Sequence, residues 1–248
     1  ALYREAAFGD FVQMEPRAGQ PATEKTEVWV AYDSQAIYVG ARMWESETSR
    51  RVTSDMRRDA NNLYNNDHLA IFIDPFYDRR NGYQFMANSQ GGISDYQVTN
   101  EMGDDAWNTI WEAKAANFDG GWTVEFRIPF RSIRVRERGG AWGLNVRRNV
   151  RWKTELSFLS PVDPSFGRRA LNKSSLAASL VGVEPPTKVQ NLDIKAYGLG
   201  SMATNRVAQP AISNDGNSEF GVDAKWALNQ SFVADFTYNT DFAQVEDD

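Results

Sequence analysis

The chain has 248 residues, 42% of them hydrophobic and 24% charged, a composition that a folded core requires and that excludes wholesale disorder. A net charge of -6 argues against a nucleic-acid-binding surface, since phosphate recognition needs a positive field, and the absence of cysteine excludes a disulfide framework or a thiolate metal site. No apolar run of about 18 residues predicts a membrane-spanning helix, and no charged leader opens the chain, so any secretion signal is expected to have been removed.

At roughly 100–200 residues per domain the length allows one or two domains, and the pattern along the chain favours two unequal parts. Residues 27–31 and 36–43 carry Val28, Trp29, Val30, Ile37, Tyr38 and Val39 around the turn Tyr32-Asp33-Ser34-Gln35, which predicts a hairpin. Residues 69–73 form a short apolar run ending at Asp74-Pro75, and residues 83–87 follow the turn Arg80-Asn81-Gly82, which predicts a second pair. Residues 107–115, 121–129 and 141–150 place β-branched or aromatic side chains at alternate positions, with breaks at Asp119-Gly120-Gly121 and Gly139-Gly140. Only residues 55–64 and 129–133 leave room for a helical turn or two. Arg131, Arg134, Arg136, Arg138, Arg147, Arg148 and Arg151 alternate with apolar or small residues and read as polar faces of strands.

Seven or more short strands with Gly and Asp turns predict an all-β fold, an antiparallel β-sandwich over residues 1–183. Residues 184–190, containing Glu184-Pro185-Pro186-Thr187, read as a linker, because consecutive prolines cannot donate to a ladder. Over residues 191–248 the alternation is strict. Leu192, Ile194 and Ala196 are followed by Phe220, Val222, Ala224, Trp226 and Leu228, and after the turn Asn229-Gln230-Ser231 by Phe232, Ala234, Phe236 and Tyr238. Such strands fit the start of an outer-membrane β-barrel. A half-buried soluble hairpin fits the pattern equally well.

The stretch Asp67-His68-Leu69-Ala70-Ile71-Phe72-Ile73-Asp74-Pro75, with residues 81–92 after it, resembles the central hairpin of family 9 carbohydrate-binding modules. Trp107 to Trp111, Gly121-Trp122-Thr123-Val124-Glu125-Phe126-Arg127-Ile128-Pro129-Phe130 and Trp142-Gly143-Leu144-Asn145-Val146-Arg147-Arg148 follow in the order that the family shows. Phe220-Gly221-Val222-Asp223-Ala224-Lys225-Trp226 and Asp241-Phe242-Ala243-Gln244-Val245-Glu246 resemble large bacterial outer-membrane proteins in which this module precedes a C-terminal barrel. This second resemblance decides for the barrel. It implies a chain of the bacterial outer membrane, with the sandwich in the periplasm or at the cell surface and the barrel incomplete within residues 191–248. Relative to those proteins the chain is expected to lack a first strand and most of a barrel.

In sugar-binding members two aromatic residues sandwich a sugar ring while carboxylate, guanidinium and amide groups bind its hydroxyls, a combination of stacking and polar contacts that are costly to leave unpaired. The resemblance puts the first stacking position at Tyr64, the carboxylate at Ala70, the guanidinium at Met86, the amide at Asn88 and the second aromatic at Phe158. Ala70 and Met86 depart from the pattern. Trp107 and Trp111, with Trp44, are alternative stacking platforms, although buried tryptophans in a sandwich core are commoner. The expected carbohydrate-binding set is therefore Tyr64, Asn88, Trp107, Trp111 and Phe158. The resemblance also implies a structural calcium ion, for which Asp67, Asp74 and Asp78 are the candidate ligands among several Asp and Asn residues that turns also explain.

No catalytic pair is legible: Asp104 and Asp105 are adjacent, and the one histidine, His68, reads as structural, with haem ligation alongside Met43, Met56 or Met86 as a remote alternative. A glycoside hydrolase label would be inherited from association. The expected function is non-catalytic recognition of a glycan by aromatic stacking. A structural, plug or docking domain with an eroded sugar site is the alternative, favoured by Ala70 and Met86.

Overall fold

The computed structural model describes residues 5–136, 140–186, 192–205, 212–227 and 233–238. It divides into two compact units, residues 1–188 and 189–248. The strands of the first are β1 (Val12–Glu15), β2 (Thr26–Tyr32), β3 (Ala36–Trp44), β4 (His68–Asp74), β5 (Gly82–Asn88), β6 (Ile93–Thr99), β7 (Met102–Asp104), β8 (Glu112–Phe118), β9 (Gly121–Pro129), β10 (Gly140–Val150), β11 (Glu155–Phe158) and β12 (Ala178–Val183). An antiparallel four-stranded sheet runs β2-β3-β9-β8. An eight-stranded one runs β1-β11-β10-β4-β5-β6-β7, with β12 also pairing to β10.

The expected all-β antiparallel fold is what forms. The hairpin at 27–43 extends by a residue at each end to β2 and β3, and the turn is closed by the Asp33 carboxylate, which accepts the Gln35 and Ala36 backbone N–H groups. The strand expected over 107–115 begins only at Glu112. Residues before it are held by side chains instead, since Asp95 accepts both the Thr109 N–H and the Trp111 indole N–H. Of the two expected helical stretches, only single 3-10 turns form, Leu63–Asn65 and Phe130–Ser132. Strands β6 and β7 pair across Asn100 and Glu101, both left-handed at φ 51° and 63°, the conformation of a tight primed hairpin turn.

Every residue of β4 and β5 is buried, which alternation alone cannot achieve in a two-sheet sandwich. One face of the eight-stranded sheet packs on the four-stranded sheet, where Trp111 stacks on Phe126 (centroids 5.7 Å apart, interplanar angle 4°) and meets Phe85 edge-on at 5.0 Å. The opposite face is covered by the irregular segment Pro164–Asn172 and the residues around it. Phe72, Met86, Leu156 and Phe158 form a second apolar cluster there with Leu63, Ala170 and Leu171. The covering segment is tied down at its ends: the Glu101 carboxylate accepts from Lys173 and Ser175, and Ser160 Oγ donates to the Leu176 carbonyl.

Because both faces are covered, the reading of the arginines as solvated strand faces fails for β10. Arg147 and Arg148 are 2% and 1% exposed. Arg148 points to the sandwich interior and donates to the carbonyls of Glu24 (3.3 Å), Lys25 (2.8 Å) and Trp44 (2.6 Å) and to Thr26 Oγ1 (3.1 Å), which joins the start of β2 to the end of β3. Burial pushes its pKa down to about 10, against the opposing pull of Glu45, Glu24, Asp67 and Glu155. Arg131, Arg134, Arg136 and Arg151 are exposed as expected, and Arg138 lies outside the described residues.

The second unit is an antiparallel meander of β13 (Leu192–Asn205), β14 (Ile212–Ala227) and β15 (Val233–Tyr238). Its register sets Ile194 beside Ala224 and Ala224 beside Phe236, then Ala196 beside Val222 and Val222 beside Tyr238. Directly paired residues share a face. That face leaves Ile194, Phe220, Trp226, Phe236 and Tyr238 exposed, at 60, 61, 49, 60 and 73%. The expected linker residues 187–190, the turn 229–231 and the stretch 241–246 lie outside the described residues.

Two measurements check this account. Arg148→Ala leaves three backbone carbonyls without their donor and is expected to lower the unfolding free energy by about 3 kcal/mol in urea titration; an unchanged midpoint would contradict the role given to it. Asp67 accepts the Val52 and Arg151 N–H groups from a buried position, and burial pushes its pKa up from 3.8 to about 6. A raised carboxyl favours the fold in its protonated form, so its stabilisation is fully present below pH 3.8 and is lost as pH rises through about 6. Asp67→Asn should therefore gain on the wild type by roughly 3 kcal/mol over that window, read from unfolding curves at several pH values; parallel curves would refute it.

Candidate functional site

Antiparallel pairing carries one row of side chains across six strands on the covered face of the large sheet: Val12, Phe158, Arg147, Ala70, Met86 and Ser94. The neighbouring row holds Asn149, His68 and Asn88. Four positions that the sequence comparison singled out, Ala70, Met86, Asn88 and Phe158, thus share one face, and Tyr64 joins them from the turn before β4. The expected set nevertheless divides. Trp107 rests on Tyr83 (5.0 Å) and Phe85 (6.4 Å), and Trp111 on Phe85, and both of those β5 residues point to the other face.

Phe158 is 0% and Trp111 4% exposed, so neither offers a ring face to a ligand. Asn88 organises a turn: its amide donates to the Asp55 carbonyl (2.6 Å) and its oxygen accepts from the Gly92 and Gln90 N–H groups. Gly92 is required there, since a Cβ would lie 2.7 Å from the Asp55 carbonyl oxygen. The three candidate metal ligands accept backbone N–H groups, Asp74 and Asp78 within turns and Asp67 from distant segments. Asp67 accepts from Val52 and Arg151, Asp74 from Phe76, Asp78 and Arg79, and Asp78 from Arg80 and Asn81. Among the described residues no three acidic or histidine side chains converge as a metal set.

Tyr64 and Trp107 are the half-buried aromatics of the expected set. Around Tyr64 lies a cluster that the sequence reading did not assemble. The guanidinium carbon of Arg147 is 4.7 Å from the Tyr64 ring centroid and that of Arg168 is 4.1 Å from it, with the His68 ring at 5.7 Å. Arg168 is exposed and follows Gly167, whose backbone at φ 51°, ψ -133° breaks the Pro164–Asn172 segment. Contact therefore runs inward from exposed Arg168 to half-buried Tyr64 to buried Arg147.

Arg147 donates from Nη2 to His68 Nε2 at 3.1 Å and contacts Met86 Sδ at 3.9 Å, while its Nε–H has no acceptor. A guanidinium only donates, so His68 Nε2 must carry the lone pair and Nδ1–H donates to the Asn66 carbonyl at 2.9 Å. Burial and the Arg147 charge hold His68 well below its ordinary pKa, in the neutral form. Burial, reinforced by the Arg168 charge, also draws Arg147 down. The guanidinium that the resemblance put at Met86 is thus present on this face, but it arrives from β10, two strands away, and touches Met86 at its end. Alternation within β10 could not reveal this, because it marks both arginines as polar without saying that both faces are covered.

Comparison with solved structures finds a family 9 carbohydrate-binding module from Caldicellulosiruptor kristjanssonii in complex with glucose, with a TM-score of 0.53, 15% identity, and coverage of 77% of this chain and 90% of that one. A Bacteroides uniformis protein to which carbohydrate binding is provisionally ascribed gives a TM-score of 0.51 at 13% identity, covering 64% and 78%. At such identities the likeness is one of fold. No curated protein sequence matches. A family model described as the carbohydrate family 9 binding domain-like matches residues 4–156, more than half of the 248 residues, and the chain belongs to that family.

Proposed function

We propose that the first unit is a non-catalytic glycan-recognition module and that the second unit contributes the opening strands of the outer-membrane β-barrel that carries it. The observation that carries the first half is the half-buried Tyr64 ring beside Arg147, a buried guanidinium with an unused donor. An aromatic ring offers flat apolar area to a pyranose, and an unsatisfied buried donor is stabilised by a ligand oxygen. Membership of the family supports the same reading.

The apolar face of β13, β14 and β15 supports the second half. Five large apolar side chains are exposed together on a three-stranded sheet, whereas water-facing sheets carry polar residues there. Strands that face lipid alternate apolar and polar residues in this way, and the register sets Asp223 opposite Lys195 and Thr237 in the intervening rows. On this reading the module lies in the periplasm or at the surface of a bacterium. The burial of Phe158 and the arginine contacts on Tyr64 favour a second reading, a docking or plug domain without sugar affinity.

Titration of the full chain against a glycan panel, followed by tryptophan fluorescence, separates these readings. Glucose, the ligand of the Caldicellulosiruptor module, belongs in the panel. Saturable binding weakened roughly tenfold or more by Tyr64→Ala, and retained by Trp107→Ala, is the expected result; a folded protein silent to every glycan would leave the docking reading. For the membrane half, density-gradient fractionation of the producing bacterium should recover the chain with outer-membrane proteins, and recovery in the soluble fraction would contradict it.

A further inference from the structure

The two adjacent arginines of β10 point to opposite faces and meet different surroundings. Arg148 is satisfied by three carbonyls and a hydroxyl, with four carboxylates near enough to favour its charge. Arg147 has a ring, a thioether and an imidazole nitrogen, and the charge of Arg168, which also acts on it, is of like sign. Among the described residues neither Arg147 nor Arg168 takes part in an ion pair. Among the described residues no carboxylate pairs with either: His68 is neutral, and Ser94, Asn88 and Asn149, the polar side chains of the same and neighbouring rows, are uncharged, while Asp59 and Asp105 act on Tyr96 in the next row.

A guanidinium stays protonated in a protein, so burying one without an anion is strongly unfavourable, and a second guanidinium against the same ring adds repulsion. An anion reached by both would relieve both. Nε–H of Arg147 is the free donor for a carboxylate oxygen, since the adjacent Nη2 already donates to His68 Nε2. The ring of Tyr64, which both guanidiniums touch, supplies the flat apolar surface for the sugar that bears it.

Resting on the reading that this face binds glycan, we propose that Tyr64, Arg147 and Arg168 form a site for an acidic sugar, a hexuronate unit of a polysaccharide. The carboxylate takes the free Arg147 Nε–H, the pyranose ring lies on the Tyr64 ring where Arg168 now rests, and the exposed Arg168 side chain swings aside to follow the carboxylate.

Calorimetric titration of the full chain with an oligogalacturonate and with the neutral galacto-oligosaccharide of the same length tests this. The acidic ligand is expected to bind roughly tenfold or more tightly than the neutral one, as charge-assisted hydrogen bonds are stronger than neutral ones. Arg168→Gln, at an exposed position, should remove most of that preference, and Arg147→Met should abolish it. Equal affinities, or a preference for the neutral sugar, would overturn the acidic-site proposal and leave glycan recognition standing. Acetate or sulfate competing as well as the oligogalacturonate would reduce the site to one for free anions and also overturn it. A folded protein that binds neither sugar would remove both proposals together.

Discussion

The structure turns on the burial of two consecutive guanidiniums in one central strand. Residues 147 and 148 of β10 must face opposite ways, and because this strand is covered on both sides, neither can reach bulk water. On one face the charge is absorbed by backbone carbonyls that the ends of β2 and β3 present, which closes the sandwich at that corner. On the other face no equivalent set of acceptors forms. The covering segment buries Phe72 and Phe158 with apolar residues, and the charge of Arg147 is left to Tyr64 and to one imidazole nitrogen.

That asymmetry separates the residues that serve the fold from Arg147 on the covered face. The resemblance put sugar contacts at Phe158 and Asn88, yet here Phe158 fills the second core and Asn88 holds the turn between β5 and β6. The acidic candidates behave alike in accepting backbone N–H groups, Asp74 and Asp78 to close turns and Asp67 to tie Val52 and Arg151 to the start of β4. Arg147 goes the other way. It is buried as deeply as a core residue but keeps a donor unused, and its neighbours leave its charge uncompensated.

Much of the fold was legible in the chain. Alternation and turn residues located β2, β3, β4, β5, β9 and β10 within a residue or so at each end, because their inward positions are β-branched or aromatic and their ends are marked by Asp, Asn or Gly. Strands β1, β7 and β11 are only three or four residues long and carry too little periodicity to register, and β6, Ile-Ser-Asp-Tyr-Gln-Val-Thr, hides its pairing behind polar residues. The site was legible only in part. Its central residue lies on a strand that matched the family, but its role depends on the Pro164–Asn172 cover, a segment without periodicity whose position no local pattern encodes. Tyr64 was found by resemblance; its arginine neighbours come from β10 and from that cover, far away in sequence.

The most direct test of the claim that Arg147 is kept for a ligand rather than for the fold is the unfolding free energy of Arg147→Met in the absence of any glycan. An uncompensated buried charge replaced by an apolar side chain of similar length should leave stability equal to that of the wild type or raise it. A loss of several kcal/mol, of the size set by removing a fully satisfied buried arginine, would mean that the guanidinium is part of the core's own architecture, and the account of this face as a binding site would fail.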